Sequence, residues 1–154
     1  MHRPVLPAAL FLALACLAPP CMADPGHGAS AKDAVALAEK GARFIALKGK
    51  DEMIRRINSR DPQFNQGALY LAMRDLRGIT LAHPTTALIG KDLLDVPDAD
   101  GRLFRREMVA IANGAGKGWV DYKFRNPSSG RVEAKSTYVL RAGDVALEAG
   151  IYRN

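Results

Sequence analysis

The chain has 154 residues and 48% hydrophobic side chains, which suits one domain with its own core and is short for two. Its 22 Lys and Arg exceed its 16 Asp and Glu, and the net charge is +6. The basic residues are scattered and usually stand beside an acidic one. The composition therefore argues against a nucleic-acid-binding protein, in which basic residues cluster with aromatic ones. A mildly basic domain can still favour small anionic ligands.

The N-terminus has the parts of a secretory signal peptide. Arg3 precedes an apolar run over residues 5–17, and Cys21 and Ala23 supply the small residues of a cleavage site. The run is shorter than the roughly 20 residues that a helix needs to span a bilayer. We therefore expect residues 1–23 to be removed on export to the periplasm, which leaves no membrane anchor.

Both cysteines, Cys16 and Cys21, lie within this signal. Lipid attachment to one of them is the alternative, but neither follows the Leu-x-small sequence that it requires. The exported chain then has no thiol, so it has no disulfide and no cysteine nucleophile. Its stability depends on its core alone.

Residues 24–29 are predicted to be a flexible leader ahead of a single domain over residues 30–154. Ser30 and Asp33 form a capping-box variant that starts a long amphipathic helix, which Gly49 ends. Apolar positions recur along it at three- and four-residue spacing. They include a stripe that would suit either the core or a close homodimer contact: Val35, Ala38, Ala42 and Ile45.

Asp51 is predicted to cap a second, shorter helix that continues through Ile57, and Asp61-Pro62 ends it. From Ala68 the apolar period changes to two, which predicts a hairpin that ends at His83. An irregular segment over residues 84–100 and a helix over 101–113 follow. Three more strands complete the chain, over 118–124, 131–141 and 145–152.

This order of elements predicts an α+β domain. Its antiparallel sheet has five strands, the long N-terminal helix on one face and the loop-helix segment on the other. A pocket can open between the sheet and one of these layers.

The mature chain offers little for catalysis. His83 is the only histidine outside the leader, and no serine stands in a nucleophile-elbow sequence. We therefore expect no enzymatic activity and no cofactor. The mature chain lacks the imidazole and thiolate ligands of a transition-metal site. One acidic run does not have the spacing of a calcium loop and is interpreted as a solvated loop that caps the next helix. It comprises Asp92, Asp95, Asp98 and Asp100.

Polar and aromatic residues collect on the second half of the predicted sheet. Lys135 is the most informative, because a lysine in mid-strand is disfavoured unless its face is solvated or its ammonium has a partner. An exposed lysine is the alternative interpretation. Tyr122 and Tyr138 also have an ordinary explanation as core-edge residues, and His83 has one as a hydrogen-bonded structural residue.

Several short motifs follow one another between residues 67 and 152. They are Gly-Ala-Leu-Tyr-Leu-Ala-Met-Arg-Asp from Gly67, Leu88-Ile89-Gly90-Lys91, Gly118-Trp119-Val120-Asp121-Tyr122, Asn126-Pro127, Lys135-Ser136-Thr137-Tyr138 and Gly150-Ile151-Tyr152. In order and spacing they resemble the single Cache domain, the extracytoplasmic sensor module of bacterial chemoreceptors and histidine kinases. The resemblance implies a PAS-like fold that binds a small metabolite, often a short organic acid, between the concave sheet face and the loop-helix segment.

Carried over by position, the resemblance implies a ligand-binding pocket. A carboxylate needs a cation and neutral donors in a partly dry site, which Lys135 and the Tyr122 and Tyr138 hydroxyls would supply. Arg105 or Arg106 would reach in from the helix. The implied ligand-binding residues are His83, Arg105, Trp119, Tyr122, Lys135 and Tyr138.

The sequence therefore predicts a soluble periplasmic sensor-type domain that binds a small anionic metabolite. The chain ends just past the last strand, without the output domain of receptor versions, so we expect a stand-alone scavenger or a ligand-presenting partner of a membrane receptor or histidine kinase. The alternative is a structural or interaction protein with a vestigial pocket.

We expect the exported protein to begin at Asp24, because Arg3, the apolar run and Ala23 complete a signal peptide. Intact-mass measurement of the periplasmic fraction checks this. A cytoplasmic protein that retains Met1 would contradict it.

Overall fold

A computed structural model describes residues 28–153. The predicted signal peptide and most of the leader lie outside the described residues. The helices are α1 (Ala31–Lys48), α2 (Lys50–Asn58) and α3 (Phe104–Asn113), and the strands are β1 (Asn65–Gln66), β2 (Leu69–Asp75), β3 (Thr80–Ala82), β4 (Lys117–Arg125), β5 (Val132–Ala142) and β6 (Val145–Arg153).

The first helix begins where its capping residues predict. The Asp33 amide donates to the Ser30 hydroxyl at 3.3 Å, and the Ser30 amide donates to the Asp33 carboxylate at 2.8 Å, which completes a capping box. Gly49 ends the helix with φ of +87°, a conformation that glycine adopts without strain. The predicted start and end of α1 are therefore confirmed.

The sheet has one more strand than predicted. All its pairings are antiparallel, and the order across it is β1-β2-β6-β5-β4, with β3 also pairing β2. The additional strand, β1, spans two residues and is too short to show a periodicity. The predicted hairpin is confirmed, because β3 pairs β2 across a turn in which the Asp75 carboxylate accepts three backbone amides. The predicted α+β class is confirmed as well.

The third helix begins at Phe104, three residues later than the pattern predicts. The Asp98 carboxylate accepts hydrogen bonds from the amides of Asp100 and Arg102, and Gly101 has φ of +84°. This turn keeps residues 101–103 out of the helix.

The sheet separates two apolar clusters. Helices α1 and α2 cover one face, and α3 covers the other. The face of α1 that is buried most deeply comprises Ala34, Leu37, Ala38 and Gly41. Of the predicted stripe, Ala38 is fully buried, and Val35, Ala42 and Ile45 lie at the border of the same core. The stripe is therefore used in the core.

We expect Gly41→Val to lower the free energy of unfolding by about 1–3 kcal/mol through overpacking. A Cβ at Gly41 would already lie 2.6 Å from Leu71 Cδ2 and 3.2 Å from Leu147 Cδ1. Urea unfolding of Gly41→Val and of the exposed control Ala46→Val in the same helix checks this. Equal stability of the two variants would contradict the close packing of α1 on the sheet.

Candidate ligand-binding site

A small cavity lies between the sheet and the segment formed by residues 84–113, which we call the cover segment. Side chains alternate along a strand, so β2, β5 and β6 each place every second residue on this face. The cavity has a volume of about 20 Å³, about enough for one water molecule. Its charged wall residues are Arg74, Arg105, Lys135 and Glu148.

Lys135 lies in the middle of β5 and is only 2% exposed. Its Nζ donates to the Tyr70 hydroxyl at 2.8 Å and lies 3.4 Å from the Tyr152 hydroxyl. The ammonium also lies 4.0 Å from the centroid of the Tyr70 ring and 5.5 Å from that of Phe124. Among the described side chains no carboxylate comes within 4 Å of Nζ. The ammonium is thus held by aromatic groups and hydroxyls, without a described carboxylate in direct contact.

Gly150 on β6 makes room for this side chain. A Cβ at Gly150 would lie 2.5 Å from Lys135 Cε. It would also collide with the hydroxyl of Thr137, the residue that pairs with Gly150 in the strand register. A glycine within a strand often marks such a close approach. Gly150 is therefore part of the site although it contributes no side chain.

Burial determines the protonation states of this site. Removal from water lowers the pKa of Lys135 to about 7, against which the Glu148 carboxylate acts only in part. Burial, and then the nearby Lys135 charge, lowers the pKa of His83 to about 4. His83 is therefore neutral at pH 7, and its Nδ1 accepts a hydrogen bond from the Thr85 amide at 2.8 Å. Burial also raises the pKa of Tyr152 to about 12, so its hydroxyl stays protonated.

Arg74 and Glu148 form a buried pair on the neighbouring strands. Arg74 Nε lies 2.8 Å from Glu148 Oε1, and Nη2 lies 3.2 Å from Oε2, the two-bond geometry that arginine and carboxylate favour. Arg74 Nη1 also donates to the Gly78 carbonyl at 2.9 Å. Each charge of this pair is thus satisfied by the other.

Arg105 enters the cavity from the first turn of α3 and is 6% exposed. Its Nη1 donates to the Val96 carbonyl at 3.1 Å, and no described carboxylate comes within 4 Å of it. Burial, and then the Arg74 charge, lowers the pKa of Arg105, but a guanidinium stays protonated at neutral pH. Arg106 is exposed and pairs with Asp95. Of the two arginines predicted to reach in, Arg105 is the one that does.

Tyr122 lines the cavity, while Trp119 and Tyr138 do not. The Tyr122 ring stacks on Phe104 with centroids 4.0 Å apart, and its hydroxyl bonds to that of Thr137 at 3.0 Å. Burial raises the pKa of Tyr122. Trp119 and Tyr138 pair with each other across the sheet on the α1 face, with ring centroids 5.3 Å apart.

The predicted site is therefore corrected at two positions. Trp119 stands three residues before Tyr122, and Tyr138 three after Lys135. An odd separation along a strand places two side chains on opposite faces. The hydroxyls beside the Lys135 ammonium belong to Tyr70 and Tyr152, in place of the expected Tyr122 and Tyr138.

Sequence reasoning missed Tyr70, Arg74, Glu148 and Gly150. The signal for Glu148 was available, because it stands between Leu147 and Ala149 in the middle of a predicted strand, as Lys135 does in its own. The strand register brings the other residues to the cavity, since Lys135 pairs with Tyr152, and Glu148 with Ala72. This pairing is not visible without the sheet order.

The acidic run of the cover segment is used for docking. Asp98 Oδ2 accepts a hydrogen bond from the Lys123 amide on β4 at 2.8 Å, and Lys123 Nζ pairs with Asp100 at 3.0 Å. Over residues 28–153 no group of His, Cys, Asp and Glu is arranged to hold a metal ion. Within the same range no helix has the length and apolar character to cross a membrane.

We expect Lys135→Met to be as stable as wild type or more stable at pH 7, by up to about 4 kcal/mol, because it removes a buried charge. Between pH 7 and 10.5 the unfolded chain binds the Lys135 proton and the folded chain releases it, so the wild-type stability should rise with pH relative to Lys135→Met. Urea unfolding at pH 6, 7.5 and 9 measures this difference. Exposed Lys123→Met is the control, and a pH-independent difference between wild type and Lys135→Met would contradict the burial of the charge.

The sequence matches the family Single Cache domain 2 over residues 49–150. No curated protein sequence matches the chain.

Three solved structures have a similar fold. A periplasmic sensor domain of a chemotaxis protein is 26% identical, with a TM-score of 0.62 over 80% of this chain and 90% of its own. A methyl-accepting chemotaxis protein from Vibrio parahaemolyticus RIMD 2210633 is 20% identical, with a TM-score of 0.67 over 79% and 86% of the two chains. The third, described under the words "Structural basis for carboxylic acid recognition by a Cache chemosensory domain", is 23% identical, with a TM-score of 0.62 over 80% and 88%.

The family match covers well over half of the chain, and the antiparallel sheet with its covering helices agrees with the related structures. The chain belongs to the single Cache domain family.

Proposed function

We propose that this chain is an extracytoplasmic sensor-type domain that binds a small carboxylate anion, such as a short organic acid, at the cavity of Lys135 and Arg105. One observation carries the proposal: two buried cations face the same cavity, and neither has a carboxylate within 4 Å among the described residues. A buried charge without a counter-ion is unfavourable for folding. A bound anion would remove that cost.

The chemistry of the wall suits a carboxylate. Lys135 and Arg105 supply positive charge from the sheet and from the cover segment, and the Tyr70 and Tyr152 hydroxyls orient the ammonium. The Arg74–Glu148 pair is already satisfied, so it adds shape without adding net charge. The carboxylic acid recognition described for one related Cache structure supports the same ligand class.

The cavity in this structure is too small for the ligand. A space of about 20 Å³ accepts a water molecule, whereas even a two-carbon acid needs several times that volume. The cover segment must therefore move outward, which would break polar contacts with the sheet, among them Asp98 to the Lys123 amide and the Gly90 amide to the Thr80 carbonyl. Binding would then couple occupancy of the site to the position of the cover segment.

Export to the periplasm and a membrane-receptor or histidine-kinase partner form part of this proposal. The N-terminal sequence supports export, and the family supports a sensor role. Scavenging of the same acid is the alternative use of the site, and a homodimer stays a prediction.

We expect acetate, propionate, pyruvate or lactate to raise the melting temperature of the wild-type domain by mass action. Lys135→Ala should weaken binding about ten- to a hundredfold, since a charged hydrogen bond contributes about 1.5–3 kcal/mol. The adjacent pair Arg105→Gln and Arg106→Gln is the matched control, and only the first should lose affinity. Titration calorimetry measures all four proteins.

The anion should also raise the pKa of Lys135, so that binding takes up a proton and weakens as the pH rises above about 7. Calorimetry in two buffers of different ionisation enthalpy detects this uptake. If no acid shifts the wild type, or if Lys135→Ala responds as the wild type does, the assignment is wrong and a vestigial pocket in an interaction protein becomes the better interpretation.

A further inference from the structure

A second and much larger cleft lies directly beside the cavity of Lys135. Its volume is about 510 Å³, within the range of roughly 300–1,000 Å³ that is typical of small-molecule sites. It lies between the end of α2, the start of the cover segment and the β4–β5 turn. We call it the Arg60–Arg125 cleft, after the two arginines in its wall.

Three side chains belong to both spaces: Tyr70, Leu88 and Phe124. The Lys135 ammonium lies against the rings of Tyr70 and Phe124, at 4.0 and 5.5 Å from their centroids. Leu88 is half-buried and ends a short 3-10 turn of the cover segment, Thr86–Leu88. The same outward movement that enlarges the cavity would therefore withdraw Leu88 and join the two spaces.

The wall of the cleft is mostly apolar and aromatic, with two cations at its edge. Arg60 Nε donates to the Pro84 carbonyl at 3.1 Å, and Arg125 Nη1 donates to the Gly130 carbonyl at 2.6 Å. No described carboxylate pairs with either guanidinium within 4 Å. Aromatic rings attract a second ring edge-to-face, and a guanidinium binds the face of a ring. These walls favour an aromatic group over a plain alkyl chain.

Arg60 also has an unusual backbone, with φ of +57° at a residue that is not glycine. The left-handed conformation costs roughly 1–2 kcal/mol for such a residue. The Arg60–Pro84 bond holds the end of α2 against the first residue of the cover segment. The cleft thus has one wall at the end of α2 and one on the cover segment, which must move.

We propose that the Arg60–Arg125 cleft holds the aromatic substituent of a carboxylic acid whose carboxylate lies at Lys135 and Arg105. The ligand class is then an arylalkanoic acid, in which a short spacer passes between Tyr70, Phe124 and Leu88. This inference rests on the proposed carboxylate function. The charged cavity selects only the carboxylate, and the cleft would select the aromatic group attached to it.

The test compares acids that share a head group and differ in the ring. Propionate and 3-phenylpropionate are titrated into the wild type, with phenylacetate and 4-phenylbutyrate to vary the spacer. We expect 3-phenylpropionate to bind at least tenfold more tightly than propionate, and Lys135→Ala to weaken both acids.

Ser128→Trp fills the cleft from the exposed β4–β5 turn and should abolish the tenfold gain while propionate binds as before. Ser129→Trp, one residue further along the turn and outside the cleft wall, is the matched control and should keep the gain. Circular dichroism and thermal unfolding verify that each variant is folded. Ser128→Leu serves as the smaller filling variant if Ser128→Trp does not fold.

The remaining outcomes distinguish failure of the aromatic cleft from failure of the carboxylate site. Equal affinity for the two acids, or a gain that survives in folded Ser128→Trp or Ser128→Leu, overturns the inference and leaves the carboxylate site intact. If Lys135→Ala binds 3-phenylpropionate with the affinity of the wild type, the acid occupies an independent site, and the inference is overturned as well. If neither acid binds the wild type, the inference and the carboxylate function both fail.

Discussion

The candidate site of this domain is built around one buried ammonium group. Lys135 is 2% exposed, it has no carboxylate neighbour within 4 Å among the described residues, and it occupies space that exists because residue 150 is a glycine. Removing an ammonium from water is unfavourable unless a partner compensates. Tyrosine hydroxyls and ring faces compensate only in part, which is why the pKa of Lys135 falls to about 7. The folded domain therefore holds a charge that the anion of the proposed function would stabilise.

The neighbouring Arg74–Glu148 pair shows the contrasting arrangement. Both of its groups are buried in the same face, yet two hydrogen bonds between them satisfy the charge internally. A pair of this kind fixes geometry and leaves nothing for a ligand. Arg105, whose polar contact is the Val96 carbonyl, belongs with Lys135. The difference between paired and unpaired cations separates the structural part of the candidate site from the part that we propose binds a ligand.

The sequence predicted the fold better than the site. Capping residues, glycines and turn sequences act locally, so the bounds of α1 and the β2–β3 hairpin followed from them. The start of α3 and the strand β1 did not, because an Asp98 turn competes with the helix and two residues show no period.

For the site, mid-strand charge was a valid signal for Lys135 and would have been one for Glu148. The assignment of Trp119 and Tyr138 failed because strand alternation places them on the α1 face. Whether Tyr70 and Gly150 belong to the site depends on which strands are neighbours, and the strand order is a property of the whole sheet.

The docking of Asp98 on β4 has a consequence for how the cover segment can be observed. Strand β4 lies at the edge of the sheet, and the Lys123 amide has its hydrogen-bond acceptor on the cover segment, where Asp98 binds it at 2.8 Å. Amides bonded within the sheet exchange their hydrogen with solvent only when strands separate. The Lys123 amide would lose this acceptor if the cover segment lifted. Its hydrogen exchange would then report opening of the cover segment at a single backbone position, separately from the unfolding of the sheet.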